Sequence, residues 1–352
     1  VHIVGARPNF VKAAPVFHAI KKQDVLNQAI IHTGQHYSKN LSESFFQELE
    51  IPKPDVNLNI RSGTHGEQTG SAIIELEKVF VDIKPDFVLV YGDVNSTLAA
   101  TIAAAKLHIP IGHVESGLRS FDKKMPEEIN RVAVDHMCDY RFVTEQSGVK
   151  NLQKEGIDKN TVFFVGNTMI DSLVKRLPSI PKLNKKDFVL MTFHRPSNVD
   201  NPAGLENIYE ICKRISSNII FPVHPRTKNS FKKFGLYDLL ISIENLEIVE
   251  PMPYDTFLSH MKNAKAVITD SGGIQEETTF LGVPCLTMRK NTERPSTITV
   301  GSNVLVEDIE QIVSCMNKIN RAEFKSCMIP ELWDGNSGKR IAKILSDILL
   351  RK

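Results

Sequence analysis

No stretch of this chain approaches the roughly 20 consecutive apolar residues needed to cross a bilayer, and Val1-His2-Ile3-Val4 carries neither the basic nor the apolar region of a signal peptide. A membrane partner is therefore not expected. Cysteine is sparse: Cys138, Cys212, Cys285, Cys315 and Cys327 are widely separated, odd in number and without metal-like spacing. That excludes a disulfide scaffold and favours reduced thiols in a cytoplasmic location. An excess of one charge is also missing, since 43 Lys and Arg face 41 Asp and Glu. Neither a nucleic-acid-binding surface nor an acidic tail follows from such a balance. The first expected strand is followed by no G-x-G-x-x-G loop, which argues against a dinucleotide, and no cofactor is expected. No H-x-x-H or H-x-H spacing supports a metal. His194, His224 and a carboxylate form the one zinc set worth considering, and the neighbouring arginines favour phosphate over it. Because the chain opens inside its first expected strand, a few residues are expected to precede it.

What is present is an alternation of short β-branched runs with longer amphipathic ones, over 352 residues, enough for two domains. Strands are expected at 2–4, 28–32, 86–91, 109–114, 140–143 and 162–165. Helices are expected at about 10–22, 38–49, 66–82, 95–106, 127–137, 145–154 and 168–175. This is the rhythm of a parallel sheet covered on both faces, an N-terminal α/β domain over 1–176. Pro178, Pro181 and paired lysines mark 177–186 as a linker. A second series follows, with strands at 188–192, 219–223, 246–249, 265–269, 283–287 and 303–306, giving a second α/β domain over 187–337. A last helix, about 338–350, is too short for a further domain and is expected to pack back on the first.

Open α/β sheets bind ligands beyond the carboxyl ends of their strands. There the sequence places Gly5-Ala6-Arg7-Pro8 with Lys12, then Gly92-Asp93, then His113-Val114-Glu115-Ser116-Gly117-Leu118-Arg119, and Pro126-Glu127-Glu128-Ile129-Asn130-Arg131. In the second half it places His194-Arg195-Pro196, His224-Pro225-Arg226, Asp270-Ser271-Gly272-Gly273-Ile274-Gln275-Glu276-Glu277 and Thr292-Glu293-Arg294-Pro295. Ser271 stands where a helix cap would, and Gly272 and Gly273 expose backbone N–H groups to an anion at the positive end of a helix. A carboxylate so near would repel phosphate and suits a ribose diol, which points to UDP or a similar nucleotide. Asp93 alone also reads as a helix cap, and Glu127 and Glu128 as ordinary first-turn acids.

In this order and spacing, together with Thr33-Gly34-Gln35-His36 and Val165-Gly166-Asn167, these motifs make the chain resemble the non-hydrolysing UDP-N-acetylglucosamine 2-epimerases over essentially its full length. The resemblance implies a glycosyltransferase-B-like α/β architecture of two Rossmann-like parallel-sheet domains with a cleft between them. It implies a cytoplasmic homodimer that interconverts UDP-GlcNAc and UDP-ManNAc for surface-polysaccharide pathways. It makes Asp93, Glu115 and Glu127 the acid/base carboxylates. Arg7, Lys12, Arg131 and His194 then surround the diphosphate and sugar, Ser271, Gly272 and Gly273 the phosphates, Glu277 the ribose, and His224 and Arg294 the nucleotide. Two departures stand out: Tyr37 follows Gln35-His36 where many relatives have arginine, and Pro196-Ser197 replaces the commoner Arg-Glu after His194-Arg195.

The implied mechanism is elimination of UDP to a 2-acetamidoglucal and re-addition with protonation on the other face. The alternatives are a 2-epimerase of a UDP-diacetamido-uronic acid, a hydrolysing epimerase releasing ManNAc and UDP, a glycosyltransferase on the same scaffold, and a non-catalytic UDP-sugar-binding protein.

Overall fold

The computed structural model describes residues 1–350 apart from 35–45, 47, 48, 61, 62, 182 and 184–186, and of Arg7 it describes the backbone alone. The chain divides into two compact units: unit 1 comprises Val1–Lys175 and Glu331–Lys352, and unit 2 comprises Arg176–Pro330.

In unit 1 the strands β1 (His2–Val4), β2 (Ile30–His32), β3 (Val56–Asn57), β4 (Val88–Tyr91), β5 (Ile111–Ser116), β6 (Tyr140–Val143) and β7 (Val162–Phe164) form one sheet in the order β3-β2-β1-β4-β5-β6-β7. Every pairing is parallel. Successive side chains on a strand face opposite ways, so the sheet needs two cores, one per face. Ile3, Val88 and Val90 pack with Leu76, Phe80, Ala99, Ala100, Ala103 and Ala104. Val4, Leu89 and Tyr91 pack on the opposite face with Phe10, Phe17 and Ile20 of the Arg7–Gln23 helix.

The Ser337–Leu350 helix belongs to this second core through Ile341, Ala342 and Leu345. A Cβ at Gly338 would lie 2.6 Å from the Pro15 carbonyl, so the absence of a side chain is what lets the two helices meet there. Its first turn is held by Asp171, whose carboxylate accepts from the backbone N–H groups of Ser337 (3.1 Å) and Gly338 (2.7 Å). These are two of the donors that a helix start otherwise leaves open.

Unit 2 repeats the pattern with β8 (Phe188–Thr192), β9 (Asn218–Pro222), β10 (Leu246–Val249), β11 (Ala266–Thr269), β12 (Cys285–Met288) and β13 (Asn303–Val306), all parallel, in the order β10-β9-β8-β11-β12-β13. Both sheets grow outward in two directions from their first strand. The switch points therefore lie between β1 and β4 and between β8 and β11, where this topology opens a crevice at the strand ends.

Most differences from the sequence expectations are at boundaries. The first helix begins at Arg7 and not near 10, because Pro8 sits in the first turn, where a missing N–H breaks no helical bond. The β3 strand was not expected; its two residues are half-buried or exposed and carry no alternation to read. The expected helix at 38–49 lies outside the described residues except for Phe46 and Leu49. Among the described residues no helix is long and apolar enough to cross a membrane.

Candidate functional site

At the switch point of unit 1, Lys12 rises from the second turn of the Arg7–Gln23 helix and meets Glu115 from the end of β5, Nζ to Oε2 2.7 Å, with side chains only 6% and 2% exposed. Glu115 reaches this position through a bulge. Val114 pairs with Phe142 and Ser116 with Val143, which leaves Glu115 as the extra residue, at φ 76°. A left-handed backbone is unfavourable for glutamate, and such bulges re-aim a side chain. Beside it, Asp93 pairs with Arg131 of the Pro126–Met137 helix, and the other arm of that guanidinium pairs with Glu128. Glu115 and Asp93 are thus held by different cations, Arg131 being shared between Asp93 and Glu128. Glycine is required at 92, where φ is 64° and a Cβ would lie 2.9 Å from Lys12 Nζ.

Asp93 caps no helix. The Asn95–Lys106 helix has Val94 at its cap position, and the Asp93 side chain turns to Arg131 instead. Glu127 is not drawn into this group: it is exposed at the first turn of its helix and makes no hydrogen bond or ion pair with a described residue. Its neighbour Glu128 is the buried one, and it accepts from the Ser120 and Phe121 backbone N–H groups at 2.9 and 2.8 Å. Arg7 lies at the start of its helix, and its side chain is outside the described set.

At the switch point of unit 2, Asp270 follows β11 and is fully buried. It accepts from the Arg195 backbone N–H (2.9 Å) and Asn198 Nδ2 (3.1 Å), and His194 Nδ1 lies 3.1 Å away. Burial alone would raise its pKa, but His194 and these donors hold it below the ordinary value. Ser271, Gly272 and Gly273 open the Gly272–Leu281 helix; Ser271 occupies the cap position without a side-chain capping bond. The Arg294 guanidinium pairs with Glu293 and, through Nε at 3.0 Å, with Glu276, and it would stand 3.0 Å from a Cβ at Gly272. Glu277, one helix position on, accepts from Tyr254 Oη at 2.6 Å. The two acids near the helix start are therefore turned to Arg294 and Tyr254.

His224 is exposed at the start of the Pro225–Lys233 helix, its ring 6.3 Å from that of His194. Partial burial and then the neighbouring His194 lower its pKa. Arg226 forms an exposed ion pair with Asp200.

Among the described residues one trio, His113, Asp135 and Cys138, brings possible metal-ligand atoms within 4.8 Å. Its atoms are already engaged, since both His113 nitrogens and both Asp135 oxygens have hydrogen-bond partners, so the set does not suit an ion. Sequence reasoning did not single out the residues that grip the Asp93 loop, Asn9, Thr97, His113 and Asn130, or Tyr254 on Glu277. His113 and Asn130 stood within quoted motifs, Asn9 lies between the quoted Pro8 and Lys12, and Thr97 falls in the helix start that follows Asp93; for Tyr254 no signal distinguished it.

The family described as UDP-N-acetylglucosamine 2-epimerase matches residues 18–346. The UDP-N-acetylglucosamine 2-epimerase of Methanocaldococcus jannaschii is 45% identical over 360 residues, 98% of each chain. The UDP-2,3-diacetamido-2,3-dideoxy-D-glucuronate 2-epimerase of Pseudomonas aeruginosa is 44% identical over 313 residues, 86% of this chain and 87% of that one. The crystal structure of the M. jannaschii enzyme in complex with UDP-GlcNAc and UDP superposes with a TM-score of 0.90 at 45% identity, covering 98% of this chain and 99% of that one. The two parallel-sheet units are accordingly Rossmann-like domains of the glycosyltransferase-B type. With a match over most of its length and relatives at this identity, the chain belongs to the UDP-N-acetylglucosamine 2-epimerase family.

Proposed function

We propose that the protein catalyses the reversible C2 epimerisation of UDP-N-acetylglucosamine to UDP-N-acetylmannosamine. The observation that carries this reading is the pair of carboxylates held by different cations, Glu115 on Lys12 and Asp93 on Arg131, in a chain of this family. C2 of the sugar has no adjacent carbonyl, so a carboxylate cannot simply deprotonate it. Loss of UDP as the C2 proton leaves gives a 2-acetamidoglucal, and return of UDP with protonation on the other face completes the epimerisation. One carboxylate takes the proton and another gives one back. Lys12, Arg7 and Arg131, with His194, stabilise the negative charge that develops on the departing diphosphate, a preorganised contribution of the kind that dominates such barriers. Ser271, Gly272 and Gly273 hold phosphate, Glu277 the ribose, and His224 and Arg294 the nucleotide. The enzyme works as a homodimer in the cytoplasm.

A second reading is favoured by the 44% identity to the Pseudomonas diacetamido-glucuronate epimerase: the same reaction on a sugar with a second acetamido group and a C6 carboxylate. Proton NMR of the products from UDP-GlcNAc, run in deuterium oxide, separates the readings. UDP-ManNAc with deuterium at C2 is the expected result. Full retention of protium in UDP-ManNAc overturns the elimination mechanism, free ManNAc with UDP makes the enzyme a hydrolase, and no turnover of UDP-GlcNAc alongside turnover of the diacetamido-uronate moves the substrate.

A further inference from the structure

Tyr91, Gly92 and Asp93 leave β4 with all three carbonyl oxygens held by side chains from other elements. Tyr91 O accepts from Asn9 Nδ2 (2.7 Å) and Thr97 Oγ1 (2.8 Å), Asp93 O from Asn130 Nδ2 (2.9 Å), and Gly92 O faces His113 Nε2 at 2.8 Å. The Gly92 N–H completes the set by donating to Val114 O at 3.0 Å. The amide and hydroxyl groups can donate in any state, but an imidazole can do so only through a nitrogen that carries hydrogen.

His113 is fully buried, and its other nitrogen, Nδ1, lies 2.7 Å from Asp135 Oδ1. Asp135 also accepts from Arg119 Nη1 (2.6 Å) and the Gly117 N–H (3.0 Å). With one oxygen filled by the Arg119 guanidinium and the Gly117 N–H, both of which favour the ionised form, Asp135 is a carboxylate and offers no proton to the ring. Nearby, the Cys138 thiol and Arg141 Nε both donate to the Asp135 backbone carbonyl, at 3.6 and 2.9 Å, and burial keeps that thiol neutral. His113 is thus placed between two oxygens that can only accept. A neutral ring, shut off from bulk solvent, would aim a lone pair at one of them, and a buried unmade hydrogen bond is costly.

We propose that His113 is a positioning residue that carries a proton on each ring nitrogen, a buried imidazolium that fixes the Gly92 carbonyl and so sets the direction in which Asp93 leaves the strand. The positive charge is balanced by Asp135, which is shared with Arg119, itself bonded to Glu155. Without the Nε2–H bond the Gly92 carbonyl loses the side chain that holds it, and the direction of Asp93 is fixed less firmly by the bonds on either side. The catalytic consequence deepens the reading of Asp93 as a proton-transfer group and rests on it; the protonation of the ring does not.

The test begins with the full-length protein labelled with ¹⁵N-histidine, the His113 signals being identified by their absence from His113→Gln. Both ring nitrogens are expected to show directly bonded protons, and one nitrogen without a proton overturns the proposal. His113→Phe is expected to lower turnover of UDP-GlcNAc by roughly 10- to 100-fold, the scale of a small displacement of a reacting group, with UDP affinity unchanged within about twofold. His113→Gln, which retains an amide N–H toward Gly92, is expected to recover part of that loss. Equal turnover in all three proteins overturns the positioning role. Should the Phe variant not fold, the labelled wild-type protein still decides the protonation. Two protonated nitrogens in a protein that does not turn over UDP-GlcNAc support the clamp while refuting the function proposed above.

Discussion

Arg294 is buried between Glu276 and Glu293, and the motif it stands in says nothing of that; adjacent acidic and basic letters do not reveal which pairs close in space. If its guanidinium contacts UDP, Arg294→Ala is expected to weaken UDP binding by roughly 1 to 3 kcal/mol, as read by calorimetry. Unchanged affinity removes it from the nucleotide site. The carboxylates give a second prediction at this scale. Asp93→Asn and Glu115→Gln keep shape and remove proton transfer, so steady-state turnover should fall by at least ~10²-fold with UDP affinity little changed. Glu127→Gln is the discriminating member, because Glu127 stands exposed without a described partner. A comparable fall for it assigns a proton-transfer role, and near-normal turnover leaves the chemistry to Asp93 and Glu115. The presence of these acids at strand ends was legible in the sequence. The bulge that aims Glu115 was not, since one extra residue at φ 76° leaves the alternation of β5 unchanged to the eye.

The secondary-structure elements were legible where burial writes a pattern. Strands buried on both faces read as β-branched runs, and helices such as Asn95–Lys106 appear as alanine on the sheet side. β3 escaped because two half-covered residues hold no pattern, and the sheet order is carried by pairings remote in sequence. The Ser337–Leu350 helix tests how an element is anchored. Asp171→Ala removes the acceptor of two buried N–H groups and should destabilise unit 1 by about 2 to 6 kcal/mol, at 1 to 3 kcal/mol for each unsatisfied donor. Asp171→Asn, which retains one carbonyl acceptor, should lose less. Chemical denaturation followed by the fluorescence of Trp333, the single tryptophan and fully buried in unit 1, reads this directly.

For the molecule as a whole, acid is expected to act on both units. Asp135 in unit 1 and Asp270 in unit 2 would both be raised by burial alone, but their cationic and hydrogen-bonding neighbours hold them below the ordinary aspartate value. Carboxylates of this kind contribute stability that is complete above the unfolded-state value, near 4, and that is lost as pH falls through the lower folded-state value. Asp171 works in the opposite sense: burial outweighs its backbone bonds, its pKa is raised, and protonation favours the folded form as pH falls. Urea midpoints measured downward from about pH 5 should therefore drop, and Asp270→Asn should flatten the drop. An equal slope in that variant excludes Asp270 as a contributor.

Unit 2 is one uninterrupted stretch, whereas unit 1 resumes only after it, with the Ser337–Leu350 helix that closes the core around Phe10, Phe17 and Ile20. A chain cut just before residue 337 therefore contains the whole second unit, while the first lacks a wall of its core. Domains fold as units, so in such a truncated chain the second unit should fold while the core of the first stays open. Limited proteolysis of that truncated chain is expected to cut unit 1 readily while unit 2 stays protected.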